Sequence, residues 1–235
     1  MLNDRLARTI ALIGEDNMKK ISNASVMVVG CGAVGGYALE MIARLGFGKI
    51  IVVDFDEFEE SNLNRQILAL ESTLKKKKVE AAKSRILDIN KDAEVIAIDK
   101  KIEKGNLDFI LEYAPCLVVD AIDDVNGKCE LISWLVENNI EFVSAMGAGL
   151  KTKPEMLKVD RLDKTKGCNL AKKIRDNLRH NGVDLKKVEC VYSDESVKIC
   201  KDENGNNVLG SLPIVPAVMG IMLANQILNK CIKEK

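Results

Sequence analysis

The sequence predicts an α/β fold: a Rossmann-like, mostly parallel sheet with helices on both faces, followed by an appended α+β segment. Three observations support this prediction. Short apolar stretches alternate with helical stretches up to Gly149, which is typical of a parallel sheet covered on both faces. A glycine-rich motif directly follows the first apolar stretch, as at the first turn of many doubly wound sheets. Beyond Gly149 the regular alternation stops.

The first part of the chain contains five predicted strands and three predicted helices. Apolar and β-branched residues dominate the strands, whereas the helices have apolar residues three or four apart. The strands are residues 25–29, 49–53, 94–98, 116–119 with Asp120, and 141–145, and the helices are residues 34–45, 74–89 and 127–138. Because parallel strands end at one edge of their sheet, we expect a ligand to bind along that edge.

The second part is predicted to contain two strands with an amphipathic helix between them, and a final buried helix. The strands are residues 156–159 and 187–192, the amphipathic helix is 170–179, and the polar stretch 201–207 is expected to be a mobile tip. We therefore divide the chain into residues 1–149 and 150–235, packed as one compact unit.

The apolar run at residues 208–228 is the only membrane candidate in the sequence. Pro213 and Pro216 break it early, and Asn225 with Gln226 interrupts the remainder. Fewer than the ~20 uninterrupted apolar residues needed to span a bilayer are left. The run is therefore predicted to be a buried helix, with no membrane contact.

The composition of the chain indicates its cellular compartment but says little about its function. The chain has 35 basic and 35 acidic side chains, so its overall charge indicates no polyanionic partner. Charges within the first apolar run argue against a signal peptide. The seven cysteines form no C-x-x-C pair. An odd number of cysteines without such pairs predicts reduced thiols in a cytoplasmic protein and no zinc site.

A nucleotide site is predicted from a glycine loop and a carboxylate. Residues 30–35 read Gly-Cys-Gly-Ala-Val-Gly between a strand and a helix. Gly30, Gly32 and Gly35 allow a tight turn and a close approach to phosphates at the helix start. Asp54 ends the next strand, where a carboxylate can bind ribose hydroxyls. The motif does not distinguish NAD from ATP, and a glycine turn needed only for packing is the alternative.

Four further motifs occur in a fixed order. They are D-x-D at Asp54 and Asp56, N-x-x-R-Q at Asn62, Arg65 and Gln66, a lysine at Lys78, and D-x-x-D at Asp120 and Asp123. This series resembles the ubiquitin-activating superfamily, which includes the molybdopterin- and thiamine-pathway adenylyltransferases. Each motif alone has an ordinary explanation, such as a solvated lysine run or a helix cap, but four in order argue against coincidence.

The resemblance implies an ATP- and magnesium-dependent enzyme that adenylates a carboxylate. The residues it assigns to the ATP site are the three loop glycines with Asp54, Asp56, Asn62, Arg65 and Lys78. By resemblance, Arg65 and Lys78 act on the phosphates, and Asp123 positions magnesium. The chemistry is coherent, because a carboxylate attacking the α-phosphate meets like-charge repulsion and pyrophosphate departs with added negative charge. Cations offset both effects.

The N-terminal residues also resemble the opening of this superfamily, where an arginine of one subunit reaches the ATP site of its dimer partner. Arg5-Leu6-Ala7-Arg8 is followed by Gly14. The resemblance implies a homodimer in which Arg8 is catalytic, with Arg5 as the second choice.

Three motifs in the second part distinguish branches of the superfamily. Residues 164–179 resemble K-T-x-x-[CD]-P-L-A-x-x-x-R-x-x-L-R, residues 191–195 resemble V-[YF]-S-x-E, and residues 210–216 resemble G-S-x-x-x-V-P. These are features of the tRNA threonylcarbamoyladenosine dehydratase family, and the resemblance extends from Arg5 to about Leu228.

Two positions depart from that family pattern. Asn169 replaces an expected proline at a helix start, and Leu209 stands beside Gly210 where some members have a cysteine that accepts sulfur. We assign no sulfur role to this chain, and docking of a sulfur-handling partner protein is left open.

This resemblance implies ATP-dependent dehydration of N6-threonylcarbamoyladenosine in tRNA. The threonyl carboxylate is adenylated, and the carbamoyl group then closes a ring and expels AMP. Tethering of the attacking group replaces an enzyme nucleophile, in agreement with a sequence that lacks an obvious Cys–His or Ser–His pair. Residues 1–149 would be the ATP-binding adenylation domain, and residues 150–235 would bind tRNA and supply the last helix.

Local charge agrees with a tRNA partner. Residues 151–187 contain twelve Lys or Arg against five Asp or Glu, an excess of seven positive charges, and tRNA binding needs a cationic surface. The residues predicted to contact the anticodon stem-loop are Lys172, Lys173, Arg175 and Arg179. An ordinary solvated helix is the alternative. His180 and Cys31 are predicted to have no catalytic role.

Two other functions are kept as alternatives. An adenylyltransferase for the C-terminal glycine of a ubiquitin-like sulfur-carrier protein would share every ATP residue, but the missing cysteine pairs and the basic second part favour tRNA. An NAD-dependent oxidoreductase or a nucleotide-binding regulatory protein is a different class. Arg65 and Lys78 argue against it, because hydride transfer needs no cations on a departing pyrophosphate.

Overall fold

The computed structural model describes residues 4–197 and 199–232, and over these residues the main sheet has seven strands. The strands are β1 (Ser25–Val29), β2 (Lys49–Asp54), β3 (Glu94–Asp99), β4 (Leu117–Asp120), β5 (Glu141–Ala145), β6 (Leu157–Arg161) and β7 (Glu189–Ser193). They lie in the order β3-β2-β1-β4-β5-β7-β6, and only β6 is antiparallel to its neighbour. The predicted Rossmann-like fold is confirmed.

Helices cover both faces of this sheet. They are α1 (Ala7–Ile13), α2 (Glu15–Asn23), α3 (Gly35–Leu45), α4 (Lys78–Ile89), α5 (Phe109–Tyr113), α6 (Val125–Glu137), α7 (Asn169–His180) and α8 (Ile214–Ile232). The predicted helices at 34–45, 127–138 and 170–179 are confirmed within two residues. Three helices, α1, α2 and α5, have no counterpart among the predicted elements, because each is too short to show a clear helical period.

The predicted start of a helix at residue 74 is wrong, because α4 begins at Lys78. The backbone of Lys75 is left-handed, with φ at 62°, and its N–H donates to the carbonyl oxygen of Phe58 at 2.8 Å. Residues 75–77 therefore form a turn packed on the preceding loop. This turn places Lys78 at the first position of α4.

The sheet separates two apolar clusters. On β1, Val26 and Val28 belong to one cluster, whereas Met27 and Val29 belong to the other. Such alternation is expected, since successive side chains of a strand face opposite sides. Helices α2, α3, α4 and α8 cover the first face, and α5, α6 and α7 cover the second.

The second part of the chain continues the same sheet. Ser144 of β5 pairs with Cys190 of β7, and Ala145 pairs with Val191, in parallel register. The predicted strands at 156–159 and 187–192 are β6 and β7 with shifted bounds, and the polar stretch 201–207 lies around a hairpin of β8 (Cys200–Lys201) and β9 (Asn207–Val208). The mobility of that tip and the division at residue 149 stay predictions.

Helix α8 is long and apolar enough to cross a membrane, and it is the one such helix in the part of the chain that the structure describes. Core helices pass the same test. A Cβ on Gly220 would lie 2.3 Å from the carbonyl oxygen of Val34, so α8 packs tightly against the start of α3. Its buried residues are Val215, Pro216, Met219, Gly220, Leu223, Ala224 and Ile227. This packing agrees with the predicted buried helix, which begins at Ile214 rather than at residue 208.

Candidate nucleotide-binding site

A cleft of about 600 Å³ lies at the carboxyl edge of the parallel strands. The loops that follow β1, β2, β4 and β5 line it, together with the start of α7. It includes the position where β1 and β4 are neighbours and the strand order reverses. Ligands of doubly wound sheets bind at such reversals, and the volume suits a small molecule. This edge is where the sequence predicts a ligand.

Close backbone packing shapes the glycine loop after β1. Gly30 has a φ of 96°, and a Cβ there would lie 2.7 Å from the carbonyl oxygen of Ala121. A Cβ on Gly35 would lie 1.8 Å from the carbonyl oxygen of Gly30. Gly30 and Gly32 line the cleft, whereas Gly35 lies outside its lining. The structure thus gives Gly35 a packing role and leaves the first two glycines facing the ligand space.

Asp54, the last residue of β2, fastens the glycine loop. Its carboxylate accepts hydrogen bonds from the backbone N–H of Cys31 at 2.6 Å and of Asp56 at 2.9 Å. The residue is buried, yet it lines the cleft. Asp54 therefore fixes the loop geometry and can also accept hydrogen bonds from sugar hydroxyls.

Lys78 and Asp56 form an ion pair that lines the cleft, with Nζ 3.0 Å from Oδ2. The Lys78 side chain is 7% exposed, whereas that of Asp56 is 47% exposed. The ammonium also lies 5.9 Å from the ring centroid of Phe58. Asp56 and Phe58 thus hold the Lys78 charge in a defined position.

Some side chains of the N-x-x-R-Q motif line the cleft, and others have a structural role. Asn62 is buried outside the cleft lining, and its Oδ1 accepts from the backbone N–H of Glu59 at 3.3 Å. Arg65 lines the cleft, with Nη1 donating to Asn64 Oδ1 at 2.8 Å. Gln66 also lines the cleft, and its buried Oε1 has no partner among the described residues. The motif predicts no separate role for Gln66.

Three aspartates lie at or just after the end of β4, in different surroundings. Asp124 caps α6, since its Oδ2 accepts a backbone N–H of the first turn at 2.7 Å. Asp120 is fully buried, with Oδ2 accepting from Lys128 Nζ at 2.7 Å and from Ser144 Oγ at 2.6 Å. Asp123 is exposed and lines the cleft. Asp124 lines the cleft as well, but its carboxylate is engaged by the helix cap, whereas that of Asp123 is not.

Side chains of the second part reach the same cleft. Lys173 lines it from α7, and Lys151 lines it from the loop after β5. Lys151 is 3% exposed. Its Nζ donates to the carbonyl oxygens of Gly167 at 3.5 Å, Ser193 at 3.3 Å and Glu195. Lys151 thus connects three segments that are distant in sequence, and no local sequence pattern indicates this role.

The four residues predicted to contact tRNA lie on α7 but differ in their surroundings. Lys172 and Lys173 are exposed, and Arg179 is exposed 3.6 Å from an aspartate of the same helix. Arg175 is half-buried, and its Nη1 donates to the Thr165 carbonyl oxygen at 2.8 Å and to Oγ1 at 2.6 Å. Arg175 therefore fixes the turn before α7, and the other three are the accessible cations.

The two N-terminal arginines also differ. Arg5 donates from Nη1 to the carbonyl oxygen of Ile89 at 3.0 Å and from Nη2 to Asp92 at 2.5 Å within the same chain. Arg8 is exposed and lies outside the lining of the cleft. Both arginines are exposed, but the Arg5 guanidinium is bonded within its own chain.

Two buried thiols, Cys31 and Cys190, are unsuited to nucleophilic attack. Burial raises the pKa of the Cys31 thiol well above its usual value, and it also raises the pKa of Cys190. Because the thiolate is the nucleophilic form, these residues act as small packing groups near neutral pH. His180, at the end of α7, is exposed.

The glycine loop, the flanking carboxylates and the cations Arg65 and Lys78 define a nucleotide-binding protein of the doubly wound class. The model of the ThiF family matches residues 4–235. The chain belongs to the ThiF family.

Two proteins similar to this chain over nearly its whole length share one name. The tRNA threonylcarbamoyladenosine dehydratase of Bacillus subtilis (strain 168) is 32% identical over 243 aligned positions, covering 98% of this chain and 95% of that protein. A solved structure of the E. coli tRNA N6-threonylcarbamoyladenosine dehydratase, TcdA, in complex with ATP has a TM-score of 0.89 and 31% identity, covering 98% of this chain and 96% of that one.

A relative from another branch matches less of the chain. The sulfur carrier protein ThiS adenylyltransferase of Bacillus subtilis (strain 168) is 33% identical over 135 residues, covering 57% of this chain and 40% of that protein. Similarity to the dehydratases therefore includes the second part of the chain, and the resemblance stated from the motifs is confirmed.

Proposed function

We propose that this protein is a tRNA threonylcarbamoyladenosine dehydratase that adenylates the threonyl carboxylate with ATP. The observation that carries the proposal is the cleft itself, which is lined by a glycine loop, by the cations Arg65 and Lys78, and by the start of a basic helix of the second part. The full-length similarity to proteins of that name supports the same substrate.

The nucleotide would lie along the loops after β1 and β2. The N–H groups of the glycine loop and the start of α3 would face the phosphates, and Asp54 would accept from the ribose. Arg65 and Lys78 would neutralise charge that builds on the departing pyrophosphate. Each of these cations already has a protein acceptor, so a phosphate oxygen competes with that acceptor.

The residues present fit a magnesium ion bound mainly through the nucleotide. The described ranges contain no cluster of three or more acidic, histidine or cysteine side chains, and Asp123 is the carboxylate after β4 that faces the cleft without a capping role. Magnesium commonly binds one or two carboxylates together with substrate phosphates. When bound, the ion would neutralise phosphate charge.

The chemistry then needs no protein nucleophile. The carboxylate oxygen attacks the α-phosphorus, a bond to AMP forms, and pyrophosphate leaves. The carbamoyl group of the same modified nucleoside closes a ring on the activated carbonyl carbon, and AMP leaves, so the nucleoside loses one water. Because both groups belong to one molecule, tethering supplies much of the rate advantage.

A homodimer would complete the site with Arg8 of the second subunit. Both arginines are exposed, but Arg5 bonds to its own chain, whereas the Arg8 side chain makes no hydrogen bond or ion pair with the described residues. Exposed apolar side chains at Leu212, Ile214 and Ile221 supply a surface for a subunit contact.

The test of this arrangement is complementation between subunits. Arg8→Ala and Arg65→Ala proteins should each be inactive, and a mixture of exchanging subunits should regain activity, because one site of each heterodimer has both arginines. Activity is measured as AMP release. The expected recovery would be absent if Arg8 acted only in its own subunit.

The substrate is tested by comparing two tRNAs. With ATP and magnesium, tRNA that bears the threonylcarbamoyl group should cause release of AMP and pyrophosphate, whereas an unmodified transcript should not. Mass spectrometry should show a nucleoside product lighter by one water. If a ubiquitin-like protein ending in Gly-Gly causes pyrophosphate exchange and modified tRNA does not, the sulfur-carrier alternative is correct.

A tRNA substrate and reduced thiols also support the cytoplasm as the site of action.

A further inference from the structure

Lys173 differs from the other cations of the cleft because its side chain has no partner among the residues that the structure describes. The Lys and Arg side chains that line the cleft are Arg65, Lys78, Lys100, Lys101, Lys151 and Lys173. Within residues 4–197 and 199–232, the first five each make a hydrogen bond, an ion pair or a ring contact with protein atoms. Lys173 makes none there, so its charge is available to a ligand without breaking a bond inside the protein.

Helix α7 presents Lys173 to the cleft from a fixed position. Asn169 and Leu170, four and three residues earlier, line the cleft with it, as expected for residues that share one helix face. The helix is anchored on its buried face by Ala171, Ile174 and Leu178. The loop after β5 packs closely on the start of α7, since a Cβ on Gly147 would lie 3.3 Å from Cys168 Sγ.

The α7 end of the cleft is separate from the glycine loop. Strand β4 lies between β1 and β5, and neighbouring strands are about 4.8 Å apart, so the loops after β1 and β5 are separated by roughly 10 Å. Phosphates on the glycine loop would therefore leave the α7 end free for the second substrate.

We propose that Lys173 binds the carboxylate that is to be adenylated. Lys173 would therefore recognise the modified nucleoside and not a tRNA phosphate. This inference rests on the proposed function. The Lys173 ammonium would offset repulsion between the carboxylate and the triphosphate. The neighbouring Lys172 is exposed outside the lining of the cleft, and it remains a phosphate contact.

The test is a binding cycle with two tRNAs of the same shape. One bears the threonylcarbamoyl group, and in the other its carboxylate has been converted to the primary amide. Wild-type protein should prefer the carboxylate form, and Lys173→Met should reduce this preference by about tenfold or more, because a charge-assisted hydrogen bond is removed. Lys173→Arg should retain most of it. The matched control Lys172→Met should weaken binding of both tRNAs equally.

Three outcomes would overturn the inference. They are an unchanged preference in Lys173→Met, a preference lost equally in Lys172→Met, and a loss of ATP affinity in Lys173→Met large enough to assign the lysine to the nucleotide. Thermal unfolding checks the fold, and Lys173→Gln replaces the methionine variant if that protein is unstable. A wild-type protein that releases no AMP with modified tRNA would instead contradict the proposed function, before any variant is compared.

Discussion

The two ends of the cleft hold their charges in different ways. At the nucleotide end, Asp54 bonds to the backbone of the glycine loop and Lys78 pairs with Asp56. At the α7 end, the exposed side chain of Lys173 lines the cleft, and that of Lys172 lies on the same helix outside the lining. Neither side chain has a partner among the described residues. Internal bonds orient a side chain before the ligand arrives, whereas a lysine without a partner loses rotamer freedom on binding. The comparison indicates a rigid site for ATP and an adaptable surface for a macromolecular substrate.

At the nucleotide end of the cleft, substitution of Asp123 should have the largest effect on activity. We expect Asp123→Ala to abolish turnover while leaving the fold intact, because magnesium would lose its protein ligand. AMP release at saturating magnesium measures the effect. Asp124→Ala is the matched control, since loss of the helix cap should cost about 1 kcal/mol of stability and spare activity. Retention of most activity in Asp123→Ala would show that its role is misassigned.

A buried ion pair lies at the end of β4, the strand between β1 and β5, and breaking it should affect stability. The side chains of Lys128 and Asp120 are 0% exposed. Lys128→Met leaves the Asp120 charge buried and unpaired, so the free energy of unfolding should fall by about 3–5 kcal/mol. Urea unfolding measures the loss, and adding Asp120→Asn should recover part of it. A loss below about 1 kcal/mol would contradict this assignment.

Arg65 tests whether the rigid end acts on the transition state. Arg65→Ala should lower kcat on the order of 100-fold or more, the scale of removing one preorganised charged group. Arg65→Lys should retain part of the rate, because the charge remains. Steady-state kinetics with modified tRNA separate kcat from KM. A change confined to KM for ATP would limit Arg65 to nucleotide binding.

Substitutions on α7 should have the smallest effect, and this effect should be a weaker binding of tRNA that depends on salt. Lys172→Glu combined with Arg179→Glu should weaken tRNA binding, and the slope of log affinity against log salt should fall by about 1 for each phosphate that the protein no longer neutralises. ATP affinity should stay unchanged. Lys91→Glu, an exposed change before β3 and distant from α7 in sequence, is the control. Equal weakening by both proteins would indicate a non-specific charge effect.

Elements that are determined by residues close together in the sequence could be predicted from the sequence. Alternating apolar stretches identify β1 to β5, and the glycine motif identifies the turn at Gly30, because a strand, a tight turn and a helix start lie within a few residues. The shift at the start of α4 has a physical cause, since Lys75 adopts a left-handed backbone that residue types do not reveal.

Roles set by long-range contacts could not be predicted in the same way. Lys151 bonds to carbonyl oxygens 16, 42 and 44 residues away, and such contacts leave no periodic pattern. The same holds for Arg175, which charge counting groups with exposed cations although Thr165 holds it half-buried. The predicted ligand roles of Asn62 and Gly35 stay predictions, and the structure gives both residues packing positions outside the lining of the cleft.

The buried thiol of Cys31 has a consequence for chemical probing of the glycine loop. Alkylation needs solvent access and a thiolate, whereas Cys31 is 0% exposed and burial raises its pKa. Reaction therefore has to wait until the loop separates from Asp54, whose carboxylate holds the Cys31 N–H. The rate of Cys31 alkylation, followed by mass spectrometry, therefore measures how often the loop opens. Any ligand seated on the loop slows that rate, so this cysteine reports occupancy from within the site.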